Sequence, residues 1–97
     1  MNIEEKDQAT AIRRAGEKLA HFHACGNDRG APGADHIAWE AITVALHEIG
    51  YDGAVVIESF TPDNQTTARA VAIWRPLAVT QNVLARDGLA FLRDSFA

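Results

Sequence analysis

Three features of the sequence predict an α/β fold with parallel strands. Two short apolar runs, Leu19–His23 and Ala54–Ile57, have strand character. Helix-period segments lie before, between and after them, and glycine- or proline-bearing loops mark the junctions. The predicted order is helix, strand, helix, strand, helix, helix. Consecutive strands joined through a helix pair in parallel by a right-handed crossover. Two such strands cannot close a sheet, so at least one strand edge and the inward face stay open.

Each element has its own local reason. The chain is mostly polar up to Ala9, after which Ala9, Ala11, Ile12 and Ala15 predict an alanine-rich helix over 5–15, with Gly16 breaking it. Leu19–His23 is too short for periodicity to decide. The loop after it, with Gly26, Gly30, Pro32 and Gly33, excludes a continuing helix and favours a strand. Trp39, Ile42, Leu46 and Ile49 recur at steps of three and four, predicting an amphipathic helix over 38–49 closed by Gly50. After the turn Tyr51-Asp52-Gly53, Ala54–Ile57 reads as a strand buried on both faces, with Glu58 at its carboxyl end. Thr61-Pro62-Asp63-Asn64 is a loop whose Asp63 or Asn64 caps a helix expected to reach Trp74, with Pro76 just beyond. Thr80 caps the last helix, whose apolar face carries Leu84, Gly88, Phe91, Leu92 and Phe96.

Composition narrows the function. A length of 97 residues suits one small domain, and residues 1–97 are read as a single unit. The formal net charge of -4 argues against a nucleic-acid or anionic-membrane surface, since phosphate binding needs clustered cations and Arg13-Arg14 is the only basic cluster. A single cysteine, Cys25, leaves no intrachain disulfide framework. No apolar run approaches the roughly 18 residues of a membrane span. The acidic, polar start is unlike a signal peptide, so a soluble, cytoplasmic protein is expected. There is no internal repeat and no low-complexity segment.

The chemically interesting residues sit at the ends of the two strands. His21 and His23, two residues apart, would share one side of a strand that opens into a loop carrying Asn27, Asp28 and Arg29. If the strands are neighbours, His23 and Glu58 emerge at the same end, within reach of one cation. Imidazole with carboxylate suits manganese, cobalt, zinc or iron, and carboxylate-rich sets suit magnesium or manganese. Two ligands do not complete a site; Asp28, His21 and Asp35 are the further candidates nearby. The plainer roles are a solvated strand terminus for Glu58, a backbone-bonded histidine for His23 and a surface arginine for Arg29. Cys25 reads as an inert small hydrophobe, Trp39 and Trp74 as packing residues, and His47 as solvent-facing. The glycines at 26, 30 and 33 do not fit a dinucleotide fingerprint, and there is no nucleophile elbow.

The run His21-Phe22-His23 through Asn27-Asp28-Arg29, then Pro32-Gly33, Trp39, Ile49-Gly50-Tyr51-Asp52-Gly53 and Glu58-Ser59-Phe60, resembles the carboxyl-terminal part of the ketose 3-epimerases. These are the D-tagatose and D-psicose 3-epimerases of the xylose-isomerase-like superfamily of sugar isomerases and epimerases. The resemblance extends over nearly the whole chain, and Met1-Asn2-Ile3-Glu4-Glu5 matches the segment just after the sixth barrel strand. It implies an α/β fold that is a carboxyl-terminal fragment of a (β/α)₈ TIM barrel: strands seven and eight with their flanking helices, about the last quarter to third of the barrel.

The resemblance also implies a chemistry. Such enzymes hold one divalent cation, manganese or cobalt and sometimes magnesium, on two glutamates, an aspartate and a histidine. By motif position His23 is the metal histidine, leaving His21 as support, and Glu58 is both a metal ligand and one member of the acid/base pair. Arg29 is the loop arginine that contacts substrate oxygen, and Phe60 is an aromatic wall of the sugar pocket. In the family the metal binds the ketose O2 and O3. One glutamate removes the C3 proton and the other returns one from the opposite face through an ene-diolate. The remaining metal glutamate, the metal aspartate and the histidine three residues beyond that aspartate have no substitutes in this chain.

Two expectations follow. In the first, the chain is a segment of a metal-dependent sugar isomerase or epimerase acting on a ketose, inactive in isolation. In the second, it is a truncated, non-catalytic fragment that persists by self-association, as a homo-oligomer, or by docking on a separate amino-terminal part of the barrel. Either leaves unpartnered apolar surface, expected on the inward faces of Leu19, Val55 and Ile57.

Overall fold

In the computed structural model, which describes residues 3–97, the first helix, α1 (Gln8–Ala15), starts later than its alanine pattern suggests. Asp7 sets the start: its carboxylate accepts from the Ala9 and Thr10 amides at 3.0 and 3.4 Å, an N-cap that excludes the preceding acidic residues from the helix. Gly16 ends α1 with φ 53°, and a single 3₁₀ turn, Gly16–Lys18, carries the chain to Leu19. Met1 and Asn2, part of the segment matched to the one after the sixth strand, lie outside the described residues.

The first strand, β1, is Phe22–Ala24 and the second, β2, is Val55–Ile57. They pair in parallel, with Phe22 opposite Val55, His23 opposite Val56 and Ala24 opposite Ile57. β1 begins later than Leu19 and runs one residue past the expected end at His23, because the ladder extends only as far as its partner. The helix joining the strands, α2 (Trp39–Glu48), ends in a Schellman motif. Gly50, at φ 67°, donates to the His47 carbonyl and Tyr51 donates to the Leu46 carbonyl.

Beyond β2 come α3 (Gln65–Ala70), capped by Asn64, and α4 (Gln81–Phe96), capped by Thr80. The expected extension of α3 to Trp74 is corrected by Ala72, which adopts φ 59°. Ala72 N–H bonds the Arg69 carbonyl and Ile73 N–H bonds the Ala68 carbonyl, so a second Schellman motif closes the helix with alanine in the glycine position. Trp74 therefore falls outside the helix and is 88% exposed, which corrects its assignment as a packing residue.

Helices α1, α2 and α4 cover one face of the sheet. Ile12, Phe22, Ala24, Trp39, Ile42 and Leu46 form the centre of the core, with Leu92 of α4 against them. Val55 and Ile57 are half-buried and pack on this same core. The unpartnered apolar surface expected on Leu19, Val55 and Ile57 is thus corrected, since Leu19 packs on this core as well, and on β2 the reason is the shared parity of Val55 and Ile57. Side chains alternate across a strand, so the residue between them, Val56, takes the open face and is 40% exposed. No helix among the described residues is long and apolar enough to cross a membrane.

Candidate functional site

The open face carries the residues that the sequence singles out. With Phe22 and Ala24 buried beneath the helices, alternation turns His23 to the other side. Glu58 follows β2 directly, and its amide donates to the Ala24 carbonyl at 2.9 Å, prolonging the ladder by one bond. That register brings His23 Nδ1 to 3.4 Å from Glu58 Oε2, with both side chains about half exposed at 47% and 50%. The His21 ring stands edge-on to His23, centroids 4.8 Å apart.

The loop after β1 closes on itself. Gly26 N–H donates to the Gly30 carbonyl at 2.9 Å, Arg29 N–H donates to the Gly26 carbonyl at 3.0 Å, and Asp28 Oδ1 accepts from Gly30 N–H at 2.9 Å. A Cβ on Gly30 would stand 2.9 Å from that carboxylate oxygen, so a larger residue there would displace the Asp28 side chain. Arg29 sits at φ 76°, the left-handed region that L side chains seldom occupy. The segment after β2 grips this loop. Phe60 N–H donates to the Arg29 carbonyl at 3.0 Å and Ser59 Oγ donates to the Gly30 carbonyl at 2.8 Å.

The structure therefore brings His23, Glu58 and Arg29 to one hollow, shared with His21 and Cys25. Phe60 is fixed by its backbone to the same loop, but lines a neighbouring hollow with Ile57, Thr61 and Gln81. The further ligand candidates are engaged elsewhere: Asp28 within its own loop, and Asp35 with the Ile37 amide and the Trp39 indole N–H, both at 2.9 Å. Burial, reinforced by the charge of Glu58 and opposed by Arg29, pushes the Cys25 thiol up from its ordinary value of 9.0. That direction favours the protonated thiol in the absence of a cation. Ser59 is the site residue that sequence reasoning missed. Its partner lies 29 positions away, and nothing local to Glu58-Ser59-Phe60 announces that contact.

Two donors bonded to one cation at about 2.1 Å and near right angles stand about 3 Å apart. The separation of His23 Nδ1 and Glu58 Oε2 is close to that, and imidazole with carboxylate is a donor pair that first-row divalent ions accept. These two residues fit one side of a metal site. Among the described residues, no three His, Cys, Asp or Glu side chains gather into a group that could hold an ion.

Comparison with known proteins gives the family and the fold. The family model described as a xylose isomerase-like TIM barrel matches residues 1–95. A probable ketose 3-epimerase of Synechocystis sp. is 44% identical over 96 residues, covering 99% of this chain and 33% of that protein. A D-psicose 3-epimerase of Agrobacterium fabrum is 39% identical over 98 residues, covering 96% and 34% respectively. A solved L-ribulose 3-epimerase structure superposes with a TM-score of 0.91 at 36% identity, covering 99% of this chain and 33% of that one. The chain spans about a third of the length of the curated relatives it matches, and its two parallel strands with helices are a corresponding share of such a barrel. It belongs to the xylose isomerase-like TIM barrel family.

Proposed function

We propose that this member of the sugar isomerase and epimerase family is a segment of a metal-dependent ketose 3-epimerase, with His23 and Glu58 as two of the cation's ligands. The observation that carries this reading is the convergence of those two side chains at 3.4 Å, on the open face at the ends of paired parallel strands. A divalent cation there, manganese by preference and otherwise cobalt or magnesium, would stabilise negative charge developing on the ketose oxygens. Glu58, half exposed at the hollow's edge, then serves as one proton-transferring carboxylate at C3. Arg29 donates to a substrate oxygen, and Phe60 supplies an apolar wall from the neighbouring hollow that it lines. The same reading places the protein in the cytoplasm.

The chain alone holds one carboxylate of the required pair and two donors of the required ligand set, so the reading makes it inactive in isolation. Purified chain with manganese is expected to interconvert D-fructose and D-psicose no faster than buffer, while manganese still broadens the His23 imidazole resonances. Glu58→Gln is expected to weaken that broadening. Manganese-dependent turnover that disappears in Glu58→Gln would overturn the inactivity. Absence of any manganese effect at His23 would remove the metal assignment.

The exposed sheet face favours a second reading, a non-catalytic fragment that survives by association. Val56 is 40% exposed between His23 and the free edge of β2, and an uncovered strand edge is a template for further pairing. Sedimentation velocity discriminates: a monodisperse monomer that binds no hydrophobic dye counts against this reading.

A further inference from the structure

The loop between Gly26 and Gly30 is held more firmly than a surface loop needs, and its bonds converge on one strained residue. Arg29 is one of two non-glycine residues with positive φ among those described, and an L side chain is disfavoured in that left-handed region. The other, Ala72, ends a helix, where that conformation is ordinary. Arg29 sits in no helix end. Its conformation is imposed from both sides of the sheet: the closed ring of Gly26, Asp28 and Gly30 on the β1 side, and the Phe60 amide and Ser59 hydroxyl on the β2 side.

We infer that Ser59 is a positioning residue, whose Oγ–H to Gly30 carbonyl bond latches the left-handed Arg29 loop onto the strand end that carries Glu58. The inference rests on the reading of Arg29 and Glu58 as parts of one site. Its mechanism is geometric. The Gly30 carbonyl accepts twice, from Gly26 N–H at 2.9 Å and from Ser59 Oγ at 2.8 Å, so one oxygen ties the ring closed and ties it to β2. Ser59 itself is half-buried and does not reach the hollow that His23, Arg29 and Glu58 line, so it acts on Arg29 through the backbone. Strain retained at a site and offset by surrounding bonds is how a side chain is held ready for a ligand instead of sweeping through solvent. Arg29 has one tether of its own, an Nε–H to Val71 carbonyl contact at 3.5 Å, too long to fix the guanidinium alone.

Hydrogen exchange and NMR on the intact chain test the latch. Ser59→Ala is expected to speed exchange at the Phe60 and Gly26 amides about fivefold, the factor that loss of one hydrogen bond of ordinary net strength supplies. Amides of α2 should be unchanged and Ser59→Thr should restore protection. Arg29→Gly, which removes the left-handed penalty, is expected to slow exchange at the same two amides about fivefold, and it remains informative if Ser59→Ala does not fold. With manganese present, broadening of the Arg29 Nε–H should weaken in Ser59→Ala and return in Ser59→Thr, a change that loss of stability alone does not produce. Unchanged protection at Phe60 and Gly26 in Ser59→Ala, acceleration spread equally through α2, or faster exchange in Arg29→Gly would each overturn the latch. Failure of manganese to act at His23 in the unsubstituted chain, with these exchange effects intact, would instead overturn the metal reading beneath it.

Discussion

The two faces of the short sheet have opposite surroundings. On one, Phe22, Ala24, Val55 and Ile57 meet α1, α2 and α4 in a continuous apolar core. On the other, His23 and Val56 stand side by side in solvent, with Glu58 at the end of the ladder. The alternation that buries one set exposes the other. The covered face is a self-sufficient structure: it has helix partners, and the described residues leave no fully buried side-chain polar atom without a hydrogen bond. The open face carries the His23–Glu58 pair on which the proposed chemistry rests. Of the six strand residues, four thus pack in the core, while His23 and Val56 face the side where the site is proposed.

The largest effect that can test this division belongs to the covered face. Leu46 is 1% exposed, at the meeting of α2 with the core. Leu46→Ala is expected to destabilise the chain by about 3 kcal/mol, from lost burial plus the cavity left behind, read as a lower urea midpoint. A loss below about 1 kcal/mol would mean that the core is loosely packed and that the covered face is not self-sufficient.

A smaller and opposite test concerns Val56. Replacing it with lysine leaves the helix-facing core untouched, so stability of the isolated chain should change by about 0.5 kcal/mol or less. Any self-association through the open face should weaken, seen as a shift to smaller species in sedimentation. If Val56→Lys instead unfolds the chain, the open face is already covered and the comparison between the faces fails.

What the sequence makes legible follows from how local each cause is. Helix α4, with Thr80 as cap and Leu84, Gly88 and Leu92 buried, could be read directly, because a cap and a period of 3.6 lie within a few residues of each other. The Gly50 stop of α2 is equally local. The end of α3 is not, because Ala72 carries no sign of the left-handed conformation that closes the helix. The facing of β2 was illegible for a different reason. Val55, Val56 and Ile57 are all apolar, so the run contains no polar alternation to tell the core face from the open one. His23 and Glu58 stand out because a strand end is a local feature. The ring around Arg29 and its latch at Ser59 depend on the parallel pairing, and appear only once the strands are side by side.

The smallest expected effect lies far from the site, at the start of α1. Hydrogen bonds from Thr10, first its hydroxyl and then its amide, with a further amide bond from Ala9 and the charge of Arg13, hold the Asp7 carboxyl below its ordinary value of 3.8. A carboxyl whose folded value is depressed stabilises the fold when ionised. Its contribution is complete above the unfolded value near 3.8 and is lost as the pH falls through the lower folded value. Asp7→Ala should therefore lower the thermal midpoint at pH 7 modestly, since an exposed cap supports only the first turn of α1. The gap between the variant and the unsubstituted chain should narrow as the pH falls below 3.8. A gap that stays constant across that range would show that the hydroxyl and amide bonds persist with a neutral carboxyl, and that its charge contributes nothing to the cap. A gap that widened on acidification would reverse the sign of the linkage and exclude the cap as its cause. In either outcome the covered face keeps its packing, because α1 is anchored through Ala9 and Ile12, which the cap does not touch.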